Sequence, residues 1–218
     1  MKTNRLILIA SIISTTSALA VSPPPDGGYP NGNTAEGDGA LLSLTTGAGN
    51  TAVGALVLSG NDVGSGNTAI GDLAMFFSDG SNNTAVGSGA LQGIDDICQG
   101  TDNSAVGVSA LQNTRGGNHN IAIGSYELSG NIDGTDNTAI GFKALAASKI
   151  GDVNSSTAFG AYALTNATGT FNTVVGYNAL LNNTTGSSNI ALGVSGHPAV
   201  RPCGRRRGEG RCRPCGAR

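Results

Sequence analysis

From Asn33 onward the chain repeats one phrase ten times, Asn-Thr-Ala-(Val/Ile)-Gly-x-x-Ala-Leu. Its glycines are Gly37, Gly54, Gly71, Gly87, Gly107, Gly124, Gly141, Gly160, Gly176 and Gly193, at intervals of 16 to 20 residues. Self-similarity at so short a period means that each copy is one structural unit, stable only when stacked on its neighbours. About 17 residues is too short for a pair of helices, and Thr-Ala-(Val/Ile)-Gly alternates with the period of two that belongs to strands. The repeat therefore predicts an all-β fold over residues 33–195: a parallel β-roll or solenoid of about ten coils, 16–20 residues each.

Each column carries its own instruction. The opening position is Asn in nine copies, with Ser156 the exception. The residue before Gly is apolar in nine: Val53, Ile70, Val86, Val106, Ile123, Ile140, Phe159, Val175 and Leu192. Four residues after Gly comes Leu or Met in nine: Leu41, Leu58, Met75, Leu91, Leu111, Leu128, Leu145, Leu164 and Leu180. Thr-Ala-Val reads as a short strand, Gly as a bend where a Cβ would crowd the next coil, x-x-Ala-Leu as a second short strand, and the Asn/Gly/Ser/Asp stretch as the closing turn. Stacked strands lie about 4.8 Å apart, so ten coils make a rod roughly 48 Å long.

Residues two apart share a face, Thr with Val/Ile and Ala with Gly. The larger side chains are expected inside, so the Val/Ile and Leu columns are assigned to the roll interior. The Ala/Gly face is left outside, smooth enough for another chain to approach. About eighteen such aliphatic side chains supply a few tens of kcal/mol, while ordering each residue costs about 1–2 kcal/mol. A lone narrow roll is thus marginal, and self-association is expected. The first copy has Glu36 in the Val/Ile column, as befits the polar end of a solenoid. Two longer intervals hold Ile94–Cys98 and Ser148–Asp152, insertions that map to loops on one side.

Composition fits this reading. Gly makes up 35 of the 218 residues against an average near 7%, Trp is absent and aromatics are 4%. All seven Pro lie outside residues 31–197, so the repeats are Pro-free. Residues 21–196 hold 13 acidic and three basic side chains, a net charge of −10; residues 197–218 carry seven Arg and one Glu, net +6. An acidic body with scattered cations has no footprint for nucleic acid. The first 20 residues read as a signal peptide: Lys2 and Arg5, a short apolar run from Leu6, and Ala18-Leu19-Ala20 for cleavage after Ala20. That run is too short for a membrane span, and an exported product with no membrane span in the mature chain is expected, opening on a Pro/Gly linker over residues 21–32.

The NTA(I/V)G-x-x-AL phrase resembles the head repeats of trimeric autotransporter adhesins and of tail-fibre-like bacterial surface proteins, over Asn33 to about Ser195. The resemblance implies a left-handed parallel β-roll, a homotrimer wound about one axis, exposure at or beyond the cell surface, and adhesive or fibre-forming work on a host or surface ligand. It also implies that the Val/Ile and Leu columns are roll-interior residues, and it brings no catalytic residue and no cofactor. A neck, a coiled-coil stalk and a membrane-anchor barrel, usual in such adhesins, have no counterpart after Gly193.

Residues 196–218 depart from the pattern. The next repeat should supply Ala-Leu, but Gly196-His197 is followed by PAVRPCGRRRGEGRCRPCGAR. These are residues of GC-rich codons, and the segment reads as a disordered basic tail produced by a frameshift. A metal site from His197, Cys203, Cys212 and Cys215 lacks a second tight pair of ligands. Cys98 stands alone in a loop and reads as inert, although an exposed thiol could pair between chains in an oxidising compartment. His119 reads as a solvated turn residue. The Gly100–Asn103 and Gly134–Asn137 turns offer oxygens to Ca²⁺ but lack the nonapeptide calcium repeat. With no cluster of acids or bases on adjacent coils, a non-enzymatic protein is expected. One alternative class is an ice-binding β-solenoid, in which Thr34, Thr51, Thr68, Thr84, Ser104, Thr138, Thr157 and Thr173 form a flat face, interrupted by Ile121 and Ile190.

Overall fold

The computed structural model describes residues 29–94, 98–146 and 153–195. The expected signal peptide with Ala20, the tail with His197, Cys203, Cys212 and Cys215, and most of both insertions lie outside the described residues. Ten three-residue strands follow in chain order: β1 (Thr34–Glu36), β2 (Thr51–Val53), β3 (Thr68–Ile70), β4 (Thr84–Val86), β5 (Ser104–Val106), β6 (Ile121–Ile123), β7 (Thr138–Ile140), β8 (Thr157–Phe159), β9 (Thr173–Val175) and β10 (Ile190–Leu192). They form one parallel sheet in the order β1 to β10. Repeat position pairs with repeat position without slippage, as in Thr51↔Thr68, Ala52↔Ala69 and Val53↔Ile70, and even the 20-residue interval keeps Thr84 opposite Ser104. The chain is an all-β solenoid of about nine turns.

The interior differs from the expected one. Ala52, Ala69, Ala85, Ala105, Ala122, Ala139 and Ala158, the middle residues of their strands, are fully buried. The residues before the repeat glycine face outward: Val53, Ile70, Val106, Ile123, Phe159 and Val175 are 36–53% exposed, Leu192 is 83% exposed, and Val86 and Ile140 are half-buried. The period-two alternation holds, but the inside is the Ala side. Across the coil, the strand alanines meet a second Ala column (Ala74, Ala90, Ala110, Ala144, Ala163, Ala179) and the Leu column in one core cluster. The lumen is too narrow for branched side chains from both walls, and close packing rejects the surplus volume. The Leu column is where it was expected: Leu58, Met75, Leu91, Leu111, Leu128, Leu145, Leu164 and Leu180 are buried, and Leu41 of the first coil is half-buried.

The x-x-Ala-Leu segment is a turn and not a second strand. Its residues two and four past the repeat glycine take positive φ, as at Leu56 (53°) and Leu58 (50°), Tyr126 (64°) and Leu128 (48°), or Tyr162 (59°) and Leu164 (51°). For a side chain as large as Leu this left-handed conformation is uncommon. Its reward is hydrogen bonding along the rod. The amide of Tyr126 donates to the Val108 carbonyl in the preceding coil (3.0 Å), and that of Leu128 donates to the Ala144 carbonyl in the following one (3.1 Å). Alternating backbone hands aim successive amides up and down the axis, so the turn stacks as continuously as the strand.

Some bends admit only glycine. Gly71 has φ +128°, and a Cβ there would sit 2.7 Å from the carbonyl carbon and oxygen of Gly87 in the next coil. At the chain's beginning, Pro30–Gly32 forms a single 3₁₀ turn that covers the first coil. Gly49 N–H donates to the Asn31 carbonyl (3.0 Å) and Asn33 Nδ2 to that of Pro30 (2.7 Å). The C-terminal part of the expected linker is thus the cap of the roll, and β1 with Glu36 is the first strand under it.

Candidate functional site

Three outward features and one inward ladder are the places where this roll could act or be acted upon. The ladder comes first, because it holds the others in register. Each opening Asn is buried, and Asn50, Asn67, Asn120, Asn137 and Asn172 are wholly so. Its Oδ1 accepts the backbone N–H of the opening residue one coil on: Asn50 N–H to Asn33 (2.8 Å), Asn67 to Asn50 (2.9 Å), Asn103 to Asn83 (2.9 Å), Asn120 to Asn103 (2.9 Å). Its Nδ2 donates to the carbonyl of the glycine closing the same turn, as from Asn50 to Gly64, Asn103 to Gly117 and Asn120 to Gly134, all 2.8 Å. Asn fits because one planar group offers an acceptor and two donors.

Ser156 shows what the amide is for. Its hydroxyl still accepts the Asn172 N–H (3.2 Å), but it has no group to reach the Gly169 carbonyl. Asn172 covers that carbonyl instead, donating to both Gly169 and Gly186 at 3.0 Å. This buried ladder went unrecognised in the sequence, where Asn was assigned to turn chemistry. Its signal was the near-absence of Asp, Ser or Gly at a position where a plain turn would accept them.

The first outward feature is the broad face of the sheet. Thr51, Thr68, Thr84, Ser104 and Thr138 are half-buried, and Thr34, Thr157 and Thr173 are exposed. Beside them runs the exposed Val/Ile column, and Ile121 adds a further aliphatic side chain at 41% exposure. Strand register carries both columns in line along the whole rod. A contiguous exposed apolar stripe of this kind marks an interaction surface.

The second is a row of rings at the sheet edge over β6 to β9. Tyr126, Phe142, Tyr162 and Tyr177 come from four successive coils and meet edge to face, with centroids 6.3, 5.4 and 6.2 Å apart. Such contacts are favourable for aromatic pairs. Lys143 Nζ stands 5.2 Å from the centre of the Phe142 ring and 6.0 Å from that of Tyr126.

The third is a stack of turn residues, Asp102, His119 and Asp136, at one repeat position in three successive coils, with φ of 58°, 56° and 59°. His119 Nε2 lies 3.8 Å from Asp102 Oδ2, and Nδ1 lies 3.4 Å from Asp136 Oδ1. The expected solvated turn residue is therefore also an ion-pair partner whenever it is protonated. Around it, the turn amides are held by side chains: Thr101 N–H donates to Asn118 Oδ1 (2.7 Å) and Thr135 N–H to Asn154 Oδ1 (2.8 Å).

Cys98 is buried, as an inert thiol would be, and not exposed for pairing. It is 3% exposed, bridges in parallel to Ser78, and its Sγ accepts the Ile94 N–H at 3.4 Å. A thiol so placed is not available for a disulfide to another chain. Among the described residues no three His, Cys, Asp or Glu side chains converge on a metal-sized site, and no helix is long and apolar enough to cross a membrane. Compared with models of known protein families, with curated proteins and with solved structures, the chain finds no match.

Proposed function

We propose that this chain is a non-enzymatic, exported surface or fibre module of the adhesin-head kind, which works by self-association into a homotrimer and presents its outer surface for attachment. The observation that carries this reading is the continuous stripe of Val53, Ile70, Val106, Ile123, Phe159 and Val175 on the outside of an in-register sheet. A roll whose interior is filled by its Ala and Leu columns has no use of its own for an aliphatic ladder on its exterior. A second and third copy do: at about 25 cal/mol per Å² of buried apolar surface, a rod-length stripe gives association a large driving force. Parallel association about one axis brings like column to like column. The row from Tyr126 to Tyr177 lies beyond the Val/Ile column at the sheet edge and stays available to an attachment partner.

Placing two lysines on the stripe, Ile123→Lys with Ile140→Lys, puts like charges into the contact without touching the interior. The expected outcome is a drop to single chains in sedimentation, with an unchanged far-ultraviolet circular dichroism spectrum. A mass that stays multimeric would remove the stripe from the assembly.

Ice binding through the same face is the second reading, favoured by the outward, in-register Thr column. On the attachment reading, the full chain produces no thermal hysteresis, and the broken spacing at Ile121 and Ile190 is without consequence. Measurable hysteresis, lost on Thr68→Leu, would replace attachment by ice binding.

A further inference from the structure

Glu127 stands where the other described coils have alanine or, once, Val57, between Ala110 and Ala144 of the neighbouring coils. Its side chain is fully buried, and neither carboxylate oxygen has a hydrogen-bond partner among the described residues. The space it occupies lies over Gly124, where a Cβ would strike Oε1. Among the described residues, Asp102, Arg115, His119, Asp133, Asp136 and Lys143 are the other charged or titratable side chains of the three coils concerned, along with the Tyr126 phenol. None of them governs the carboxyl. Burial drives it from the ordinary 4.5 up to about 7, opposed only in part by the nearby amides of Glu127 and Ser125, which lie outside hydrogen-bond geometry.

The second observation comes from the outside of the same coils. Asp102, His119 and Asp136 link the turns before β5, β6 and β7, and the link is ionic only when His119 carries its proton. Protonation removes a buried charge inside and adds an attractive one outside. The interior group is the stronger, because the exposed stack is screened by solvent.

From this juxtaposition we infer that the centre of the rod is a proton-operated lock: the coils of β5, β6 and β7 hold together in acid and loosen as the medium turns neutral to alkaline. The sign follows from linkage. Between about pH 4.5 and 7 the folded roll keeps a proton on Glu127 that the unfolded chain has lost, so stability is fullest below pH 4.5, declines through that window and is lowest above 7. In a solenoid each coil is held only by its two neighbours, so one weakened coil in the middle divides the rod into two halves. The lock belongs to a single roll and does not depend on association.

Urea unfolding of the full chain between pH 4.5 and 8.5 tests it. The unfolding equilibrium constant is expected to rise by roughly 100-fold across this range. Glu127→Gln should remove most of that rise. A wild-type constant independent of pH, or an equal rise in Glu127→Gln, would overturn the lock. Should Glu127→Gln not fold, Glu127→Ala, which restores the column's own residue, serves the same comparison. Carbon-13 titration of the wild-type Glu127 carboxyl gives a direct reading: a midpoint near 7 supports the lock and one near 4.5 refutes it. A monomeric chain would defeat the proposed assembly and leave this titration unaffected.

Discussion

Asn120→Ala is expected to destabilise the roll by about 3–5 kcal/mol, among the largest losses available to a single polar side chain in this molecule. Asn120 Oδ1 accepts the Asn137 backbone N–H (3.1 Å) and its Nδ2 (3.0 Å), and Asn120 Nδ2 donates to the Gly134 carbonyl (2.8 Å) and Asn103 Oδ1 (3.1 Å). Truncation to Ala leaves the buried Asn137 N–H without an acceptor, at about 1–3 kcal/mol, and removes three further bonds worth about 0.5–1.5 kcal/mol each from Asn137 Nδ2, the Gly134 carbonyl and Asn103 Oδ1, which keep the Val153 carbonyl, Asn131 Nδ2 and the residue-120 amide as partners. Asn120→Ser should be milder by about 1–2 kcal/mol, because a hydroxyl, as at Ser156, still accepts the next amide. Thr138→Ala, on the half-buried outer face and next to Asn137 of the ladder, should fall within about 0.5 kcal/mol of wild type. Urea denaturation of the three variants ranks them directly.

Gly71→Ala is expected to cost a comparable amount, about 3–5 kcal/mol, for a different reason. The φ of +128° is foreign to any residue with a Cβ, a strain of order 1–3 kcal/mol. The added methyl would also lie 2.7 Å from two backbone atoms of Gly87 and 3.1 Å from the Ser88 nitrogen. A flexible side chain could swing aside, but backbone tied into the next coil by the Gly87 N–H bond to the Ile70 carbonyl (2.8 Å) cannot. Overpacking of that kind adds about 1–3 kcal/mol. Gly193→Ala is the control, since a Cβ at that glycine of the same column, φ +136°, meets nothing within 4 Å among the described residues. It should retain only the conformational part of the loss, so the difference between the two variants in thermal unfolding isolates the clash between coils.

The stacking of the chain was legible in its sequence, because a strict period leaves few alternatives. The ten three-residue segments before the repeat glycines are the ten strands, Leu58 through Leu180 are inside, and the bend is at glycine. The sidedness of the strand was misread at Val53, Ile70 and Ile123. Alternation states that Thr and Val share a face and Ala takes the other, but it does not say which face is the lumen. Size was used to choose, as it would be for a wide core, whereas the dimensions of a 17-residue coil favour Ala. A better guide was tolerance between copies. The outward column accepts Val, Ile, Phe159, Leu192 and Glu36, while the inward one accepts Ala in nine copies and Val174 in the tenth. Variation in size and charge is what solvent permits, and a single small residue is what a confined lumen demands.

The positive-φ leucines were illegible for another reason. Leu is a poor choice for the left-handed region on local grounds, so no propensity points to it. The conformation is imposed by the demand that amides alternate up and down the rod, a tertiary requirement that overrides local preference. Glu127 broke the Ala column in plain sight, and its meaning depended on knowing that this column is buried.

The assembly rests on the outward aliphatic stripe, and the mass of the full chain in solution tests it most directly. Sedimentation equilibrium should give three times the chain mass for the wild type and one chain mass for Ile123→Lys with Ile140→Lys. A wild-type protein that sediments as a single chain at micromolar concentration would contradict it.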